Sequence, residues 1–175
     1  LLATWCFAIQ IYCDFAGYTE IARGAAKVMG FDLMVNFNRP YLATSIVDFW
    51  RRWHISLSTW FRDYLYVPLG GNRGTRARTC FNLAVVFLVS GLWHGANWTF
   101  IVWGGLHAAC VIGYVLTEGP RTRFAARLGR TGRAWFGAVA WLATFNFVCL
   151  AWVFFRAASV SDAMTVLRRI AAGLP

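Results

Sequence analysis

The stretch Cys80–Leu116, CFNLAVVFLVSGLWHGANWTFIVWGGLHAACVIGYVL, decides the fold. Apart from His94 and His107 it contains no Asp, Glu, Lys, Arg or His. As one helix its thirty-seven residues would run about 55 Å at 1.5 Å per residue, against a hydrocarbon core of about 30 Å. The segment must therefore cross a bilayer twice, or enter and turn back. Gly91 and Gly95, within Ser90–Asn97, are where the break is expected. Arginines crowd both flanks, at Arg73, Arg76 and Arg78 before it and at Arg121, Arg123, Arg127, Arg130 and Arg133 after it. Two short Arg-rich loops around a double pass fit one cytoplasmic side under the positive-inside rule. In the second arm Gly105, Ala109 and Gly113 recur every fourth residue, a small-residue row that predicts close helix packing.

The rest of the chain agrees with a membrane setting. Residues 134–155, AWFGAVAWLATFNFVCLAWVFF, carry no charge and are long enough for one more span. Thr144 and Asn146 are its polar positions and are expected to face protein. Residues 1–17 are apolar but include Asp14, whose carboxylate is expected to point inward. Asp14 and Glu20 as a catalytic carboxylate pair is the alternative to helix-end or packing roles. Hydrophobic residues make up 59% of the chain and charged residues 14%, against about 25% charged in soluble domains. A soluble chain of this size could not hide ten Trp and fifteen Phe. The net charge of +10 comes from arginines between apolar runs, which argues against nucleic-acid binding. The five cysteines are scattered without a C-x-x-C pair and read as small buried hydrophobes.

Residues 43–64 follow another pattern. Ile46, Phe49, Trp50, Trp53, Leu57, Trp60, Phe61 and Tyr64 fall on one stripe of a helix, with Arg51, Ser58 and Arg62 opposite. Arginine is costly at mid-bilayer, so this helix is expected at the interface or along a polar cavity, with His54 on the border between stripe and polar face. A short tail helix is expected from Ser161, as its cap, to about Ala172. The fold class is thus an all-α polytopic integral membrane helical bundle. It has three to four membrane-embedded helices and one amphipathic interfacial helix.

Three histidines titrate near neutral pH without perturbation. His54, His94 and His107 have no metal-ligand spacing and no accompanying Cys cluster, so no metal site is expected. His94 is an ionisable residue deep in an uncharged segment, bracketed by glycines that allow an irregular backbone and close ligand approach. Its imidazole could take a proton from a hydroxyl that attacks an acyl donor. The alternative is a hydrogen-bonded packing histidine between Trp93 and Trp98. His107, beside Gly104-Gly105, reads as packing.

Asn36-Phe37-Asn38-Arg39-Pro40-Tyr41, DFWRRWHISLSTWFRDYLYVPLGGNR at 48–73 and SGLWHGANWTFIVWGGLHA at 90–108 resemble the signature blocks of membrane-bound O-acyltransferases. WVFFRA at 152–157 is similar to the bacterial polysaccharide branch, typified by the alginate O-acetyltransferase membrane subunit. The blocks occur in order over nearly the whole chain. The resemblance implies that residues 1–175 are the C-terminal portion of one larger membrane domain, without its N-terminal helices. It implies a helical bundle around a tunnel, with the donor entering from the cytoplasm and the acceptor from the other side. It places the catalytic histidine of the W-H-G element on His94 and a supporting role on His54 of W-H-I-S. Acetyl-CoA is the implied donor and a periplasmic transferase acting on an exopolysaccharide the implied partner, in a bacterial inner membrane. The related teichoic-acid branch takes its D-alanyl group from a carrier protein, so the motifs leave the donor open.

Arg51, Arg52 and Arg62 are candidates for the donor phosphates, since guanidinium forks suit phosphate oxygens. Pairing with Asp48 and Asp63, or snorkelling to headgroups, is their other reading. From a different class, a transporter or flippase would use His94 and Asp14 as pathway residues. An isolated part of the bundle is expected to be inactive by itself.

Overall fold

The computed structural model describes residues 1–173, and these contain helices and no strand. Eight α-helices follow in order: α1 (Leu2–Val28), α2 (Ile46–Trp50), α3 (Ile55–Phe61), α4 (Arg76–His94), α5 (Trp98–Leu116), α6 (Glu118–Arg127), α7 (Arg130–Arg156) and α8 (Val160–Ala171). A 3₁₀ turn (Pro40–Leu42) and a π-turn (Arg62–Tyr66) lie between them. Helices α4, α5 and α7 are long and apolar enough to cross a membrane. Large apolar side chains on their outer faces, such as Leu88, Leu92, Val139 and Leu142, remain exposed within the chain, as lipid-facing positions do.

The double pass is a hairpin. Helix α4 ends at His94, Gly95 turns with φ 154°, and α5 starts after Asn97, whose side chain caps the Thr99 N–H at 3.1 Å. Phe87 lies opposite Gly104 and Gly91 opposite Phe100, which makes the two helices antiparallel. A Cβ on Gly91 would sit on the Phe100 carbonyl oxygen, and one on Gly104 on that of Phe87. The backbones therefore touch, as small residues allow between membrane helices. The expected row is displaced by one position. Gly105 meets only Leu88 Cδ2 at 4.0 Å, Gly113 has nothing within 4 Å, and Ala109 is exposed.

Helix α1 lies against α7, where Trp5 Nε1 donates to Asn146 Oδ1 at 3.1 Å, so Asn146 does face protein. Ala8, Val148, Cys149 and Trp152 are buried. Cys6 and Cys13 are exposed on α1, against the expectation of burial, because that face has no neighbour within the chain. The tail helix begins one residue earlier than expected, with Ser159 rather than Ser161 as its cap.

The stretch 43–64 is not one helix. Ser45 caps α2 through the Asp48 N–H at 3.1 Å, and the helix stops at Trp50. The extended segment 36–38 then captures the chain: Asn38 N donates to Arg52 O at 2.9 Å and Ile55 N to Asn36 O at 3.0 Å. His54, at φ 45°, makes the corner into α3. The apolar stripe splits accordingly. Ile46, Phe49, Trp53 and Phe61 are buried, whereas Trp60 and Tyr64 are exposed.

Two outcomes test this architecture in the complete protein that carries the chain. Gly104→Ala forces the helices apart and is expected to cost about 1–3 kcal/mol, read as a lower unfolding midpoint in detergent. Gly105→Ala is expected to leave the midpoint unchanged or slightly raised, and equal losses for both would overturn the crossing. The hairpin also puts Thr75 and Thr131 at the same end. Cysteines placed there, with reactive cysteines removed elsewhere, are expected to respond alike to a membrane-impermeant reagent added outside intact cells. Labelling of one without the other would refute the double pass.

Candidate functional site

His54 and His94 arrive from different elements and line one cavity of about 490 Å³, together with Asp14, Trp50, Trp93 and Trp103. The hairpin delivers His94 as the last residue of α4, where the Gly95 turn ends the helix. Its ring is held edge-on by Trp103 (centroids 5.2 Å apart) and Phe155 (4.9 Å), with Trp93 at 4.9 Å. Trp98 is exposed and takes no part in this cage. Among the described residues the His94 ring makes no hydrogen bond, and it is half-buried on the cavity wall.

His54 is fixed by its corner. A non-glycine residue at φ 45° is uncommon and strained. The Asn36 side chain supports it: Asn36 Oδ1 accepts from Ser56 N at 3.1 Å and from Ser56 Oγ at 2.6 Å, and lies 3.4 Å from His54 Nδ1. The hydroxyl near His54 is therefore that of Ser56, 3.4 Å away, not Ser58, whose Oγ donates to Trp53 O. The ring also packs edge-on to Phe15 at 4.7 Å. Burial lowers its pKa to about 4, so it is neutral at pH 7. Nothing in the local sequence pattern links position 36 to position 54, so this role of Asn36 appears only in the folded chain.

Asp14 reaches the cavity with the two histidines, but no carboxylate pair exists there. Glu20 instead forms an ion pair with Arg23 at 2.7 Å. His107 is wholly buried on α5, accepts a hydrogen bond from Trp50 Nε1 at 3.3 Å, and is surrounded by aromatic rings.

A second cavity, also about 490 Å³, lies behind Trp50 and is lined by Arg51, Arg62 and Ser58. The three candidate arginines separate here. Arg51 has no ion-pair partner among the described residues. Arg62 reaches the cavity while paired with Asp63 at 2.7 Å, and Arg52 is turned away and bound to Asp48 at 2.9 Å. A narrow space of about 130 Å³, lined by Trp50, Leu57, Ser58, Phe87 and Ser90 among others, shares walls with both larger cavities.

The model of the membrane-bound O-acyltransferase family matches residues 2–159. The chain is 46% identical over 162 residues to the "Probable alginate O-acetylase AlgI" of Azotobacter vinelandii, covering 93% of the chain and 30% of the relative. It is 44% identical to the "Peptidoglycan O-acetyltransferase" of Helicobacter pylori, covering 93% and 29%, and 32% identical to the "Teichoic acid D-alanyltransferase" of Bacillus subtilis, covering 89% and 40%. The chain thus spans less than half the length of these relatives. A family match over most of the chain, on helices long enough to span a membrane and around a two-histidine cavity, gives one conclusion: the chain belongs to the membrane-bound O-acyltransferase family.

Proposed function

We propose that this chain carries the reaction centre of a multi-pass O-acyltransferase that moves an acetyl group from acetyl-CoA toward an exopolysaccharide in a bacterial inner membrane. One observation carries the reading: His94 and His54, from separate elements, meet at one aromatic-walled cavity. His94 takes the proton of the acceptor hydroxyl. The oxygen attacks the thioester carbonyl carbon, the C–S bond breaks, and the departing thiolate takes the proton back from the imidazolium. His94 ends the reaction as it began. His54 is held too rigidly by its corner and by Asn36 and Ser56 to shuttle protons freely, and its neutral ring suits orienting the reacting oxygen. Arg51 and Arg62 favour a phosphate-bearing donor on the far side of Trp50, and Arg52 is left out of that role by its pairing with Asp48.

The relatives named for alginate and peptidoglycan O-acetylation are more similar to this chain than the teichoic-acid relative, which favours acetyl over D-alanyl transfer. A periplasmic transferase that finishes polymer modification is the partner this reading calls for. The family match is what disfavours a transporter, in which His94 and Asp14 would serve as pathway residues.

In the complete protein, His94→Ala and His94→Gln are each expected to lower acyl transfer by about 10²–10⁴-fold at normal membrane level. Radiolabelled acetyl transfer in detergent measures this, and near-normal turnover of the Gln variant would make His94 structural. His54→Ala is expected to reduce transfer by less than the His94 variants while protein level holds. Full acetylation in that variant would confine His54 to packing.

A further inference from the structure

Trp50 is common to all three spaces: the arginine cavity, the histidine cavity and the narrow one sharing walls with both. It is also the partner of His107. The His107 ring is wholly buried, with Trp103 at 4.8 Å, Trp50 at 5.0 Å and Phe147 at 5.4 Å between ring centroids. Its Nδ1 accepts the Trp50 indole N–H at 3.3 Å, and its Nε2 has no partner among the described residues. A phenylalanine would pack among these rings but leave the Trp50 indole N–H without its acceptor. What histidine adds is an acceptor for the Trp50 N–H, which fixes where the indole stands.

We infer that Trp50, locked by His107, is the specificity-determining wall of the narrow space, admitting a slim straight acyl group and turning away a branched one. The inference rests on the acyltransferase reading. Trp50 is the one residue that lines both the arginine cavity and the histidine cavity, so a thioester whose phosphates stay near Arg51 and Arg62 brings its acyl end past this indole to reach His94. The space of about 130 Å³ beside the indole shares Leu57 with the histidine cavity, and Ser58 and Phe87 with the arginine cavity. The indole packs edge-on against Phe87 at 5.4 Å on the wall of this space, so a shift of the indole changes how far the space opens. His107 is a positioning residue that acts through Trp50.

The test uses the complete protein in detergent, with acetyl-CoA and isobutyryl-CoA as donors and the ratio of their kcat/KM values as readout. Trp50→Leu is expected to raise the isobutyryl-to-acetyl ratio by about ten-fold or more, the scale on which apolar pockets discriminate small groups. His107→Leu frees the indole and is expected to move the ratio in the same direction. His107→Gln, which can still accept the indole N–H through its amide oxygen, is expected to stay near the wild-type ratio. The double variant Trp50→Leu with His107→Leu is expected to go no further than Trp50→Leu alone. An unchanged ratio in an active Trp50→Leu protein, or a Gln variant as altered as the Leu one, overturns the inference. Should His107→Leu fail to accumulate, the Trp50→Leu and His107→Gln pair decides by itself. Wild-type protein that turns over neither donor refutes the donor reading instead, an outcome distinct from active variants with an unchanged ratio.

Discussion

The backbone contact between Gly91 and Gly104 is the constraint on which the site depends. In a bilayer the hydrophobic effect does not press helices together, so close van der Waals fit must do it. Glycine at both positions lets α4 and α5 touch, because a Cβ on either would occupy a carbonyl oxygen of the other helix. That contact fixes the axial register of the hairpin. The register puts His94 at the end of α4 against Trp103 of α5, and places His107 one turn beyond Trp103, where it meets Trp50. Gly95 completes the arrangement. At φ 154° it adopts a backbone that other residues rarely take, and a Cβ there would run into the Phe100 ring.

Around this hairpin, irregular backbone occurs where it borders a cavity. A membrane interior tolerates broken helices only where their free polar groups are buried in protein or face a water-filled space. The corner at His54 follows this rule. Segment 36–38 supplies backbone partners for Arg52 and Ile55, and Asn36 supplies a side-chain partner for Ser56. The same corner turns the Trp50 and His54 side chains toward the spaces between α3, α4 and α5. Charge is sorted by the same geometry. Arg52 is neutralised by Asp48, whereas Arg51, its neighbour in the turn that follows α2, is left to line the arginine cavity.

Much of this was legible in the sequence. Charge-free runs of known length are a one-dimensional property, so the spans and the hairpin break at Ser90–Asn97 could be read directly. His94 stood out only through the W-H-G resemblance, since an ionisable residue in such a run reads equally well as packing, as His107 does. Rotational detail was not legible. Gly105, Ala109 and Gly113 form a more regular row than Gly104 offers, yet they are turned about 100° from the contact. The division of 43–64 into two short helices was hidden for another reason. Its apolar spacing is helical throughout, and the break comes from hydrogen bonds to residues 36–38, well outside any local window. The Trp50–His107 bond spans 57 positions and likewise has no local trace.

The polar groups of the histidine cavity carry one more argument. His54 contacts Asn36 and Ser56 through Nδ1 alone, at 3.4 Å each, and His107 spends one nitrogen on Trp50. Among the described residues His94 alone of the three makes no side-chain hydrogen bond, although its ring is caged by Trp103, Phe155 and Trp93. The ring is half-buried on the wall of the cavity, where an entering hydroxyl meets no protein hydrogen bond that must first be broken. A histidine satisfied in advance would have to break a bond before it could take a proton. The aromatic cage holds the His94 ring in place by shape while leaving its nitrogens uncommitted, the combination that the proposed general-base role calls for.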